Sequence, residues 1–439
     1  MFFNPFNNRI MKKIYHLFVI VLTIFPFGRG NLKAQSLTFS GEIRPRFEFR
    51  HGYKTIIPDG NSAASFISQR TRLNLFYGSQ KFKFGIALQN VRVWGDVPQL
   101  NSSDVYGTAL HQAWGEVIFS KKLAFKIGRQ EISYDDQRIF GGVNWTQQAR
   151  SHDAAILKYR PNKMTKIDVG LAQNAQSETL YKIDYLVNNY KTFQYIWYHR
   201  RFNKSGLSLL FLNNGMPYHE SNNSQAVVYS QTYGGRFTYT YNPLNFNASF
   251  YYQGGKNKLD NTLSAEYAAA EVTYSLPCEF TFGLGGEYLS GTSSKEQALN
   301  QTDNSFKPFY GTNHKFNGWM DYFYVGNYMY SNGLMDISLP LTQKANRFTF
   351  KLVPHYFLAA AKVSASQGNG TWKDYKSNLG AEIDFSANYN FSNDVSISGG
   401  YSQMMATQTL QVLKGGNHKN SNNWAWLMLT FKPTFFSKL

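Results

Sequence analysis

The 439-residue chain is 17% aromatic and only 16% charged, with a formal net charge of +18. Soluble proteins average about 25% charged residues, so this composition is poor in charge for a water-soluble fold, while a mean hydropathy of −0.40 excludes a bundle of membrane helices. A lone cysteine, Cys278, excludes an internal disulfide framework and a cysteine-rich zinc site, and reads as a small apolar residue at a strand start. The basic residues are spread through strand-like segments rather than gathered in a tail. No zinc pattern, basic helix or RNA-binding signature is present, so nucleic acid is not an expected partner.

From Met11 the sequence "MKKIYHLFVIVLTIFPFGRGNLKAQ" has a positive start at Lys12 and Lys13, an apolar run over 14–27 and a small residue at Ala34. The run is short for a spanning helix, which needs about 20 residues. It predicts a signal peptide over 1–34, cleaved on export. Next comes "GEIRPRFEFR", 41–50, where Ile43, Pro45, Phe47 and Phe49 alternate with Glu42, Arg44, Arg46, Glu48 and Arg50. Period two gives a strand with an apolar and a charged face. Pro45 lacks a ladder donor, which predicts a bulge or irregular pairing there.

The alternation recurs in chain order. Thr71, Leu73, Leu75 and Tyr77 oppose Arg70, Arg72, Asn74 and Phe76; Phe82, Phe84, Ile86 and Leu88 oppose Lys83, Gly85, Ala87 and Gln89. Ile167, Val169 and Leu171 oppose Asp168, Gly170 and Ala172; Phe246, Ala248, Phe250 and Tyr252 oppose Asn247, Ser249, Tyr251 and Gln253; Leu379, Ala381, Ile383 and Phe385 oppose Glu382 and Asp384. Short turns at 78–80, 120–122, 241–245 and 391–394 separate some segments, and long polar insertions at 50–64, 95–108, 135–152, 174–190, 214–229 and 290–330 separate others. The final strand sets Ala425, Leu427, Leu429 and Phe431 against Trp424, Trp426 and Met428, a terminus that assembly machinery could read. Strands long enough to cross a bilayer at a tilt, with short and long connections in turn, predict one all-β transmembrane antiparallel β-barrel over 35–439. It has about 18 strands, short periplasmic turns and long outer loops. The segment 290–330 reads as a loop folded into the pore or its mouth, and 320–345 does not parse into strands.

Four strings carry a resemblance: "FISQRTRLNLFYG", "VRVWGD", "IGRQEISYDDQRIFGGVNWTQQARSHDAAILKY" and "YGTNHKFNGWMDYF". In this order they resemble the alginate-export family of outer-membrane barrels, in the form common among Bacteroidetes-like bacteria, across roughly 37–432. The resemblance implies a monomeric 18-stranded barrel with an arginine-rich lumen for an anionic polysaccharide. Its basic positions match Arg44, Arg46, Arg70, Arg72, Arg92, Arg129 and Arg138, with acidic partners at Glu42, Glu48, Asp96, Asp135, Asp136 and Asp153.

The arginine rows read in two ways. Guanidinium groups fork onto carboxylates, so they could attract anions along a pore, or they could pair with Glu42 and Glu48 to stiffen the wall. The stretch 129–153, which also holds Arg150 and His152, is either a constriction or a calcium site from Glu131, Asp135 and Asp136; it lacks the Asp-x-Asp-x-Asp-Gly framework, and no metal is expected. His314, Lys315, Trp319 and Asp321 read as a pore-mouth loop, an interfacial girdle or a sugar contact. No G-x-S-x-G, H-E-x-x-H, P-loop or Rossmann string occurs, so neither catalysis nor a cofactor is expected. The chain reads as a passive channel in the bacterial outer membrane for hydrophilic anionic solutes such as acidic saccharides. A non-conducting structural or adhesin barrel and a barrel enzyme are the rivals. The expected partners are outer-membrane lipid, a small anionic or saccharide solute and the assembly machinery.

Overall fold

The computed structural model describes residues 35–100, 107–221, 224–299, 302–324 and 331–438. The expected signal segment lies outside them. Thirteen strands follow in order: β1 (Ser36–His51), β2 (Ala64–Gly78), β3 (Phe82–Val93), β4 (Ala109–Ile118), β5 (Leu123–Gln130), β6 (His152–Tyr159), β7 (Thr165–Gln173), β8 (Thr192–Arg201), β9 (Ser205–His219), β10 (Gln225–Tyr241), β11 (Leu244–Lys256), β12 (Thr262–Ser275) and β13 (Phe280–Leu289). Then come β14 (Leu334–Ser338), β15 (Leu341–Ala345), β16 (Phe348–Leu358), a small outer hairpin of β17 (Ser364–Ser366) and β18 (Trp372–Asp374), β19 (Asn378–Asn390), β20 (Val395–Ala406), β21 (Asn422–Phe431) and β22 (Thr434–Lys438). β14 and β15 form one broken stave and β21 and β22 another. Each stave pairs antiparallel with the next, and the last closes on β1, giving a closed barrel of 18 staves.

Alternation sets the two faces. Ile43, Leu73, Val169, Phe250, Ile383 and Leu427 point outward and are 42–53% exposed. Glu42, Arg44, Arg46, Glu48, Arg70 and Arg72, which alternate with such residues, are buried inside. An apolar belt of this size is unfavourable against water and favourable against hydrocarbon. The short connections, such as 79–81 and 391–394, lie at one end; the long ones, such as 131–151 and 290–333, lie at the other.

The expected insertion at 214–229 is mostly strand. β9 and β10 stay in register up to His219 opposite Gln225. Just before and after the insertion, an amide ladder crosses the sheet: Asn213 donates to Gln194 at 2.8 Å and Gln231 donates to Asn213 at 2.8 Å. Cys278 sits exposed in a turn, not in a strand.

The anticipated irregularity at Pro45 lies at the closing seam. The β1–β2 ladder runs straight through Pro45, opposite Gln69. On the other side, pairing with the last stave skips from Ile43 to Arg46, opposite Leu429 and Thr430 of β21; the break between β21 and β22 at Lys432–Pro433 lies further along, beside Gly41. A break beside a proline explains 320–345. Pro354 in β16 faces the break between β14 and β15, and its carbonyl accepts from Leu339 N at 3.0 Å. For Pro354 the missing donor faces a neighbour that is itself interrupted beside Pro340, so no ladder acceptor is stranded there.

Candidate functional site: the stoppered lumen

The connection 131–151 leaves β5, folds into the lumen and lies against the arginines of β1 and β2. Arg44 donates to the carbonyls of Asn144 at 2.9 Å and Thr146 at 3.0 Å, and to Gln147 Oε1 at 3.0 Å. Arg46 donates to the Trp145 carbonyl at 2.7 Å. Arg72 bonds Gln89 at 2.8 Å, and Gln89 in turn donates to the Gln148 carbonyl at 3.0 Å. Behind this row, Glu42 pairs with Arg70 at 2.5 Å, while Glu48 pairs with Arg46 and Arg50, each at 2.8 Å. Gln147 is buried and locks the seat, donating to Ser68 Oγ at 3.1 Å. The arginine row therefore pairs with wall carboxylates, as the second of its readings expected, and its remaining N–H groups hold backbone carbonyls of the inward loop.

The other arm of the same loop crosses to the far wall. Asp135 accepts from Trp197 Nε1 at 2.9 Å and from the Ser208 hydroxyl at 2.5 Å; burial pushes its carboxyl above the ordinary range. Asp136 pairs with Arg236 at 3.1 Å. Arg138, fully buried, bonds Glu287 at 3.2 Å and Asn317 at 3.1 Å. Glu131 is held by His111 at 2.7 Å, whose other nitrogen meets Ser151 at 3.0 Å. Neither His111 nor Ser151 lines the two cavities described below; the chain Glu131–His111–Ser151 ties together the two ends of the loop. Glu131, Asp135 and Asp136 thus each bond a different set of partners.

Residues 302–324 of the long connection also enter the lumen and dock on an acidic wall. Trp319 N donates to Asp384 at 3.1 Å, Met320 N to Glu382 at 2.8 Å and the Asn317 amide to Asp336 at 3.2 Å. Gly318, at φ +80°, passes so close that a Cβ would lie 2.7 Å from the Glu382 carboxylate. The two inward loops are joined to each other: Gly141 N donates to the Tyr310 carbonyl at 2.8 Å, and Thr312 N to the Gln137 carbonyl at 2.9 Å. A basic wall thus holds one loop by its carbonyls, and an acidic wall holds the other by its N–H groups.

Two cavities flank these loops. One, of about 690 Å³, opens toward the long-loop end and is bordered by Arg46, Arg50, Lys54 and Asp321. The other, of about 620 Å³, lies toward the short turns and is bordered by Asn247, Thr342, Lys351 and Asn388. Trp145 and His314 line both. Their rings stack at 4.7 Å and 12°. Arg46 covers the other side of Trp145 at 4.2 Å, and Asp321 fixes His314 at 2.6 Å. This ring pair is the partition between the outer and inner vestibules.

The model of the alginate-export family matches residues 35–422. The chain belongs to that family. Among solved structures it is similar to OccAB1 of Acinetobacter baumannii, with a TM-score of 0.60 at 13% identity over 93% of this chain and 99% of that one. It is also similar to OccK1 (OpdK) of Pseudomonas aeruginosa, with a TM-score of 0.58 at 10% identity over 92% and 100%. No curated protein matches. Family and barrel fold together make this an outer-membrane channel.

In this alginate-export barrel, Arg44, Arg46, Arg70, Arg72, Glu42 and Glu48 share one lumen wall, and Arg138, Asp135 and Asp136 reach the lumen through the inward loop. Arg92 and Asp96 border the outer vestibule; Asp96 caps β3 by accepting from Val93 N at 3.0 Å. Arg129 and Asp153 are a correction. They pair at 2.8 Å across β5 and β6 on the outward face, sharing the parity of lipid-facing Ile127 and Leu157, and their side chains are 43% and 62% exposed. Arg129 follows Ile127 by two residues, so strand parity alone could have placed it outside the lumen. His314, Lys315 and Trp319 belong to the inward loop, where Lys315 donates to the Asp136 carbonyl at 3.0 Å. Sequence reasoning missed Trp145, Gln147, Arg236 and Glu287. Arg236 was within reach of the alternation argument, since it opposes Phe237 in a strand; Trp145 and Gln147 carried no periodic signal.

Proposed function

We propose that the protein lets small hydrophilic anions, acidic saccharides among them, diffuse passively across the outer membrane. The supporting observation is the lining of the outer vestibule. Arg46, Arg50, Lys54, Arg92 and Arg150 face Glu48, Asp96 and Asp321, five fixed cations against three carboxylates. A cleft with low-dielectric walls focuses such an imbalance and concentrates counter-ions at its mouth. The lower vestibule continues the route with hydroxyl and amide groups, Ser249, Asn247 and Asn388 among them. The N-terminal segment 1–34 serves as a cleaved signal peptide in this reading, and N-terminal sequencing of the membrane-extracted protein checks it.

The test is the reversal potential of purified protein in planar bilayers under a potassium chloride gradient. Anion selectivity is expected, and the double variant Arg50→Gln, Lys54→Gln is expected to bring the potential toward zero. Cation selectivity in the parent would sink the reading. A second reading, a non-conducting structural barrel, draws on the ring partition and the joined loops; the absence of channel openings across a range of salts would favour it.

A further inference from the structure

A third cavity, of about 260 Å³, lies at the outer end of the barrel, bounded by β9 to β12, the connection 174–191 and the long loop. It is separate from the stacked-ring partition. Arg150, Lys256, Lys258 and Lys307 line it, and no carboxylate does. Lys307 is engaged by Asp303 at 2.7 Å and Lys256 approaches Asp260 at 3.6 Å. Arg150 donates to the Gly311 carbonyl at 3.0 Å and has no carboxylate partner among the described residues; Lys258 meets only the Asn188 amide oxygen, at 3.2 Å. Asn214, on the cavity wall, is wholly buried. Its Oδ1 accepts from the Tyr310 hydroxyl, and its Nδ2 has no partner among the described residues. A buried amide N–H left unmade costs about 1–3 kcal/mol, so such a group in a cavity wall calls for an acceptor. Phe309 and Tyr310 add ring surface, stacked at 5.9 Å and 29°.

We propose that this niche binds one anionic sugar ring, off the conduction axis. An acid group of the sugar would meet Arg150 and Lys258, a ring hydroxyl would accept from Asn214 Nδ2, and the C–H face of the ring would lie on Phe309, which Tyr310 backs. The volume is below the roughly 300 Å³ at which drug-sized sites begin, which suits a single ring and not a chain. Arg150 also lines the outer vestibule, so the niche is a side recess from which a captured chain end could pass to the lumen. The proposal rests on the reading that acidic saccharides reach this barrel, and it does not require conduction.

Calorimetric titration of the detergent-solubilised full chain with glucuronate, glucose and inorganic phosphate tests it. Glucuronate is expected to bind best. Lys258→Gln, at an exposed position, is expected to weaken it on the order of tenfold, and Asn214→Asp, which adds an opposing charge at unchanged size, to abolish it. The reversal potential of Lys258→Gln in bilayers is expected to match the parent. No glucuronate binding, or equal affinity in the parent and both variants, overturns the niche. Glucose or phosphate binding as tightly as glucuronate overturns its assignment to an acidic ring. Glucuronate binding by a barrel that proves cation-selective or closed overturns the channel reading and leaves the niche standing.

Discussion

Arg44 shows what one side chain does in this lumen. Buried on the wall, it spends its donors on two backbone carbonyls and on Gln147, about 100 residues away in sequence. Arg44→Met keeps much of the volume and removes those donors from the carbonyls of Asn144 and Thr146, while Arg46 still holds the Trp145 carbonyl. The expected cost to loop docking is on the order of 2–4 kcal/mol. It is read as faster proteolysis within 140–150, with the barrel's strand signal in circular dichroism unchanged. That Arg44, Arg46, Arg70 and Arg72 share a wet face follows from parity alone. That they grip a loop does not, because alternation reports which way a side chain points and is silent about what arrives opposite it.

The inward loops are the next scale up. Their contact depends on glycine at 141, where a Cβ would sit 2.3 Å from Thr312 Oγ1 and 2.9 Å from Thr312 N. Gly141→Val is expected to push the loops apart at a cost of about 1–3 kcal/mol, visible as larger or noisier single-channel currents. The long loop has its own electrostatic tie. Burial, the largest single influence, would raise the Asp303 carboxyl, but Lys307 at 2.7 Å together with hydrogen bonds from Asn257 and Ser305 N outweighs it and holds the group below the ordinary carboxylate range. A depressed native value gives stabilisation that is complete above the unfolded value of about 3.9 and lost as pH falls through the lower native one. On this acid side Lys307 is charged whether the loop is docked or free, so the carboxyl sets the sign. Hydrogen exchange over 302–310 is expected to stay constant from pH 7 to about 5, after correction for intrinsic rates, and to rise only below about 4. Among the staves, the sequence revealed Pro45 as a disturbance but could not show on which side. Only the register shows that the disturbance faces the seam, where pairing with β21 skips from Ile43 to Arg46.

For the whole molecule, a basic wall on β1 and β2 and an acidic wall three to six staves round the barrel from β1 each hold one loop, and Trp145 and His314 meet between those loops. Trp145→Ala is expected to merge the two vestibules and raise conductance on the order of twofold. Unchanged conductance would show that ions take another route. The sequence by itself determined the barrel. Period-two alternation, strand lengths that cross a bilayer and the order of short and long connections are local properties, and they fix which faces meet lipid and which meet water. It also placed most of the charged lumen residues, and it failed at Arg129 and Asp153, where the parity was available and the family pattern was followed instead. What the tertiary structure alone decided is where the long loops go. Their residues have no period, their bonds join segments from tens to well over a hundred positions apart, and their seats exist only once the barrel has closed and gathered the arginines of β1 and β2 and the carboxylates of β13, β14 and β19 around one lumen.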